Sequence, residues 1–311
     1  MSIGTYTRYN SIAENLRVKV ENLLFNVGIL CRVFGRGKSD ASVKKKIDDN
    51  PGKYSIGGKL IQDAVGLRVA VYFPEDIDVV RQLLCERFSC DEKSSTIDLP
   101  SDSTFSVVRY NLIFRVSEDE EHSYGRLFNG QPIDTTFEVQ IRTMLSEGWH
   151  EVEHDLRYKC KSHWDQQQDL SRTLNGVIAT LETAEWSMTR VFDELAYRHY
   201  KNSAWAAMLH TKLKMRLPPT ISESLLRVLD ATPDLGKQLL RIDRTKVMQS
   251  LFALETKIPV TIDNVVFLWN YLVIWNVDIF DLTETFLCEQ FDRAFSHSVG
   301  KKFEKIESIQ I

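Results

Sequence analysis

The chain has 311 residues, of which 43% are hydrophobic and 26% charged, so it can bury a sizeable core as one large domain or two ordinary ones. Fourteen glycines and eight prolines argue against disorder, collagen-like repeats and a turn-rich all-β chain. A net charge of −4 and a pI near 6.0 argue against a globally basic nucleic-acid binder and leave room for a local basic patch.

The N-terminus lacks the basic-then-apolar run of a signal peptide. Residues 9–33 then carry Leu16, Val20, Leu23, Leu24 and Val27 at the spacing of an amphipathic helix. A basic loop is predicted from Arg32 to Lys38, followed by a short helix capped by Ser39 or Asp40. Gly66 to Phe73 reads as a buried strand ended by Pro74, and 75–88 as a crossover helix. Residues 89–104 read as polar loop. Tyr110, Leu112, Phe114 and Val116 alternate with polar neighbours, as does Asp134 to Arg142, so both read as half-exposed strands.

From Thr143 onward nearly everything reads as helix. Leu170, Leu174, Val177, Leu181, Met188, Val191 and Leu195 hold one helical face until Pro218-Pro219. Trp269, Tyr271, Trp275, Phe280, Phe286 and Phe291 read as mostly helical core. The most apolar stretch, Val265 to Trp275, is too short for a bilayer and is interrupted by Asn270. The five scattered cysteines form no CxxC pair, so neither a cysteine zinc site nor a disulfide framework is expected. These features predict an α/β (α+β) half at 1–200, an all-helical appendage at 201–311, and a reduced, soluble, cytoplasmic protein with no membrane role.

Three constellations can carry chemistry. Arg36, Lys38, Lys44, Lys45 and Lys46, with Arg68 further on, suit a polyphosphate, with Gly35 and Gly37 letting backbone come close; a lone basic run is also an ordinary solvated helix face. Asp63 and Glu138, at the ends of neighbouring strands, can share one Mg²⁺ against a triphosphate. His150-Glu-Val-Glu-His154 matches the HExxH pattern of zinc proteases, with Glu182 or Glu185 as the nearest third ligand, although the glycine and histidine of the longer pattern are absent.

In this order the pieces resemble the synthetase domain of the RelA/SpoT family. Gly35-Arg-Gly-Lys-Ser-Asp-Ala-Ser-Val-Lys-Lys-Lys46 is similar to its RxKSxxSIxxK stretch. Asp63-Ala-Val-Gly-Leu-Arg-Val69 is similar to its DxxGxR strand. Phe137-Glu-Val-Gln-Ile-Arg-Thr143, with Trp149 and Glu153-His154 to Lys159, is similar to its E-V-Q-I-R-T…W…EH…YK block. The resemblance covers roughly residues 10–200 and makes the HExxH match a coincidence.

The resemblance implies a nucleotidyltransferase-like mixed sheet flanked by helices, and transfer of pyrophosphate from ATP to a ribose 3′-hydroxyl. It implies Arg36, Lys38, Lys46 and Arg68 on the ATP, Mg²⁺ on Asp63 and Glu138, and Glu138 as base for the attacking hydroxyl. Tyr110, Gln140, Arg142, His154 and Lys159 match positions on the acceptor side. The acceptor loop departs from the family's K-x-N-G-Y-x-S-x-H: Ser106, Val108, Arg109, Leu112 and Phe114 stand at the other positions and only Tyr110 survives, as a stacking residue open to any base. The acceptor therefore stays open between a nucleotide (GTP, GDP or an adenine nucleotide, giving an alarmone) and the 3′ CCA end of tRNA, as in toxic relatives. A catalytically silent binding module is the alternative from another class. No histidine precedes His122, so a one-way synthetase without a hydrolase domain is expected. Residues 201–311 are read as a helical accessory region, regulatory or binding a neutralising partner; the oligomeric state is left open.

Overall fold

The computed structural model describes residues 8–98, 109–117, 121, 124, 130–255 and 258–295. Ser106 and Val108 lie outside them. The described chain divides into two compact units, one of residues 1–24 and 31–187, the other of 25–30 and 188–311. The division falls inside a long helix.

The first unit is a six-stranded mixed sheet with helices on it. In chain order it holds α1 (Arg8–Asn26), β1 (Cys31–Gly37), α2 (Asp40–Asp48), β2 (Val65–Val71), α3 (Asp76–Arg87), β3 (Ser89–Cys90), β4 (Thr96–Asp98), β5 (Arg109–Arg115), β6 (Thr136–Thr143) and α4 (Met144–Glu153). A π-helical turn (His154–Tyr158) follows, then a short 3₁₀ turn (Lys161–Trp164) and α5 (Gln168–Lys201), which runs on into the second unit. The strand order is β1-β2-β6-β5-β3, with β4 also on β5; β2 and β6 are parallel and the other pairs antiparallel.

Two parts of the predicted loops are strands. The stretch read as a basic loop is β1, an edge strand hidden by two arginines and two glycines within seven residues. The polar stretch after α3 holds β3 and β4, too short for a periodic signal. Ser39 is the cap of α2, its side chain accepting from the Ser42 amide at 3.2 Å.

Successive strand residues face opposite sides of a sheet, and the register sorts the chain accordingly. On one side lie Val33, Leu67, Val69, Leu112, Phe114, Phe137, Val139 and Ile141, all nearly inaccessible. Phe114 and Phe137, directly opposite across β5 and β6, stack at 5.5 Å. Gly35 and Gly37 share this side. A Cβ on Gly37 meets the Tyr9 carbonyl carbon at 2.3 Å, and one on Gly35 meets the Ala13 oxygen at 2.8 Å. The two glycines therefore admit α1 against β1; their role is helix packing rather than close approach to phosphate.

The second unit is helical: α6 (Trp205–Leu213), α7 (Glu223–Ala231), α8 (Pro233–Leu240), α9 (Arg244–Ala253), α10 (Ile262–Trp269), a π turn (Asn270–Ile274), α11 (Val277–Leu282) and α12 (285–295). Its core includes Trp205, Leu209, Leu229, Leu239, Val265 and Phe291. The Trp205 ring lies over Gly236 and donates Nε1–H to Asp230 at 2.7 Å. Buried Arg244 donates to the Leu213 and Lys214 carbonyls, closing the end of α6. Of the aromatic residues expected in this core, Tyr271 packs against Trp275, Phe280 and Phe291, whereas Phe286 is half exposed. No helix among the described residues is long and apolar enough to cross a membrane.

Gly37→Ala is expected to lower stability by about 1–3 kcal/mol, since the obstructing atoms are backbone and cannot rotate away. Denaturant unfolding checks this; an unchanged midpoint means that α1 is free to withdraw.

Candidate active site

The other side of the sheet carries the polar residues. Arg36, Gly66, Glu138 and Ile113 form one row across β1, β2, β6 and β5; Phe34, Arg68, Gln140 and Asn111 form the next. Because β6 ends at Thr143, whose hydroxyl caps α4 by accepting from the Ser146 amide, α4 begins at once and lays Glu147, Glu151 and then His154 along this face. The result is a cavity of about 640 Å³ lined by Phe34, Arg36, Lys38, Asp63, Gly66, Leu67, Arg68, Glu138, Gln140, Glu147, Glu151 and His154.

Asp63, just before β2, accepts from Lys38 Nζ at 2.6 Å and from Lys46 Nζ at 2.7 Å. Burial alone raises its pKa, but the two lysines outweigh this and hold the carboxyl below its ordinary value. Burial also presses both lysines down; it prevails at Lys38, while Asp63 prevails at Lys46 and leaves that amine raised. Among the described residues Arg36 has no carboxylate partner.

Glu138 accepts from Gln140 Nε2 at 3.0 Å. Burial, and secondly the charge of Asp63, push its pKa up. Two carboxylates that raise one another's cost of ionisation are relieved by a cation between them. The lining holds Arg36, Lys38 and Arg68 against four carboxylates, with Lys46 and Arg142 paired to Asp63 and Glu147 from behind it. Among the described residues no three His, Cys, Asp or Glu side chains are grouped to hold a metal. Mg²⁺ commonly takes only one or two carboxylates and completes its shell with water and phosphate oxygens, so Asp63 and Glu138 fit that ion in the presence of a phosphate ligand.

A second network backs the cavity. Arg68 Nη1 donates to Glu147 at 2.9 Å and to Glu151, and Glu147's other oxygen accepts from Arg142 Nη1 at 3.1 Å. Arg142 also donates to Gln140 Oε1 at 3.2 Å, and it is buried beneath the cavity rather than open to it. His154 lines the cavity, with its ring between those of His150 and Tyr158 at 5.9 and 5.6 Å.

Two residues expected on the acceptor side are elsewhere. Tyr110 pairs with Ile141 in the register, which turns it to the sheet face opposite Glu138; it is buried, and its hydroxyl donates to Asp78 at 2.7 Å. Burial and Asp78 push this phenol up to about 12. Lys159 follows the π turn and pairs with Asp155 at 2.7 Å, outside the cavity lining. Of the departing loop positions, Arg109 pairs with Asp98 at 2.6 Å, and Leu112 and Phe114 are core.

The HExxH residues straddle the junction of α4 with the π turn. Burial, with Arg142 and Arg68 nearby, pushes His150 down to about 4. Glu185, one of the third ligands considered, is buried and accepts from the Thr143 hydroxyl. Phe34 and Glu147 carry no motif in the sequence, and Glu151 stands out there only as the glutamate of the HExxH pattern. The i, i+4, i+7 spacing of Glu147, Glu151 and His154 after a strand was the available signal for the two acids.

Residues 35–163 match the family model described as the region found in RelA / SpoT proteins. Among solved structures, the chain is similar to small alarmone synthetase 1 from Bacillus subtilis (22% identity, 59% of this chain and 91% of that one, TM-score 0.43). It is similar to the same enzyme bound to its product pppGpp (21% identity, 61% and 96% covered, TM-score 0.45). It is also similar to a GTP pyrophosphokinase family protein from Streptococcus pneumoniae (20% identity, 58% and 88% covered, TM-score 0.41). No curated protein matches the chain.

The two carboxylates give opposite stability effects. Asp63 has a lowered folded pKa, so its contribution is present above the unfolded value and is lost as pH falls through the folded one. Glu138 has a raised folded pKa, so the folded state is favoured at low pH and penalised once Glu138 ionises. At pH 7 Asp63→Asn is therefore expected to lower Tm and Glu138→Gln to raise it, each on the order of a few degrees. Calorimetry of both variants checks the signs.

Proposed function

We propose that the protein is a Mg²⁺-dependent pyrophosphokinase that moves the terminal diphosphate of ATP onto the ribose 3′-hydroxyl of a nucleotide acceptor. The observation that carries this reading is Glu138, a half-buried carboxylate in one cavity with Lys38, Asp63 (which Lys46 also holds) and Arg36, which has no carboxylate partner among the described residues. Arg36, Lys38, Lys46 and Arg68 hold the phosphates. Asp63 and Glu138 would hold the cation, which would supply charge neutralisation on the transferring group. Glu138 takes the proton from the 3′-hydroxyl as its oxygen attacks the β-phosphorus and AMP leaves with the bonding electron pair. A raised pKa suits that task, since a carboxylate of ordinary basicity is a weak proton acceptor at neutral pH. Positioning and charge stabilisation then account for the rest of the acceleration, with no covalent intermediate.

On the acceptor side, Gln140 and His154 are the expected residues that line the cavity, and Arg142 acts behind Gln140 through their hydrogen bond. GTP, GDP, ATP and deacylated tRNA, offered separately with β-labelled ATP, test the acceptor. Label on a free nucleotide supports the alarmone reading; label on tRNA alone replaces it with a translation-blocking activity.

Glu138→Gln is expected to lower kcat by about 100-fold or more and to remove the acid limb of kcat/KM. In the unaltered enzyme that limb is the fall in rate as pH drops and Glu138 becomes protonated. Chelation of divalent cations is expected to stop transfer, and added Mg²⁺ to restore it. Transfer that survives Glu138→Gln removes Glu138 from the mechanism.

A further inference from the structure

Arg68 carries two carboxylates on a single nitrogen: Nη1 donates to Oε1 of Glu147 and to Oε1 of Glu151. The two acids lie one turn apart on the same face of α4, and their surroundings differ. Glu147 is 12% exposed, and its second oxygen is taken by Arg142. Glu151 is 48% exposed, and Arg68 is its one partner among the described residues.

We infer that Glu151 is a displaceable counter-ion that occupies Arg68 and sets the affinity for the donor, whereas Glu147 is a positioning residue that keeps Arg68 and Arg142 in place throughout. This rests on the donor reading above. An arginine can keep one carboxylate and still present the remaining N–H groups of its planar fork to a phosphate oxygen. It cannot keep a second acid on the same edge without setting that acid's charge against the incoming phosphates. The half-exposed pair is the one that yields, because ion pairs in contact with water are worth little. Glu147 stays, because losing it would leave Arg142 buried beside another cation: Arg142 is 2% exposed and its Nε already lacks a hydrogen-bond partner. A donor therefore binds Arg68 by exchanging one anion for another, and a ligand with more phosphate charge makes that exchange more readily.

Calorimetric titration with the Mg²⁺ complex of the α,β-methylene analogue of ATP, which cannot release its pyrophosphate, tests the assignment. Glu151→Gln and Glu151→Ala are expected to tighten binding by about two- to five-fold, a gain that a merely structural role does not produce. Glu147→Gln is expected to weaken it. Unchanged or weaker binding in both Glu151 variants, with Arg36→Ala still reducing affinity, overturns the counter-ion role and leaves the donor reading standing. No binding by the unaltered protein overturns the donor reading and the counter-ion role with it.

Discussion

The register between β2 and β6 is the constraint on which the site depends. These parallel strands pair Gly66 with Glu138 and Arg68 with Gln140, and β1 and β5 extend the same rows to Arg36 and Asn111. A slip of one residue in either central strand would exchange its apolar and polar faces. Leu67, Val69, Val139 and Ile141 would then lose their core, so the hydrophobic side fixes the position of every charged group on the other. The cavity's geometry follows from burial on the face it does not share.

The cavity stores its charges in pairs. Asp63 sits between two lysines, and Arg68 and Arg142 share Glu147. Each half-buried charge is expensive alone and tolerable beside an opposite one. Arg36, without a carboxylate partner among the described residues, and Glu138 are the exceptions: Glu138's hydrogen-bond partner is a neutral amide, and its near neighbour in charge is another acid.

Much of this was legible in the sequence, and the failures have definite causes. β2, α3, β5 and β6 follow their periodicity because each is buried on one continuous face, whereas the long α5 forms as its spacing predicts although Leu170, Val177, Met188, Val191 and Leu195 along it are exposed. β1 was read as loop because an edge strand that lines a polar cavity carries arginine and glycine where a central strand carries valine. Asp63, Glu138, Arg36, Lys38 and Arg68 were found through motif spacing and meet in one cavity. Tyr110 was aligned correctly as a strand residue, but a motif gives position along the chain and not the parity of the pairing, which turns Tyr110 toward α3. Lys159 is displaced by the π turn, whose wider hydrogen bond from Lys159 N–H to the His154 carbonyl is invisible in residue types.

β1 divides its residues between two tasks by parity alone. Gly35 and Gly37 lie against the backbone of α1 and tolerate no side chain, while Phe34, Arg36 and Lys38 point to the cavity and touch none of that packing. Residues that look interchangeable in a small, flexible-seeming stretch therefore fall under opposite rules for change. Changes at Phe34 and Arg36 fall on the cavity and leave the helix packing alone, whereas Lys38 also carries the ion pair with Asp63. The two glycines, with no side chain to contribute, are where the strand has the least freedom to vary.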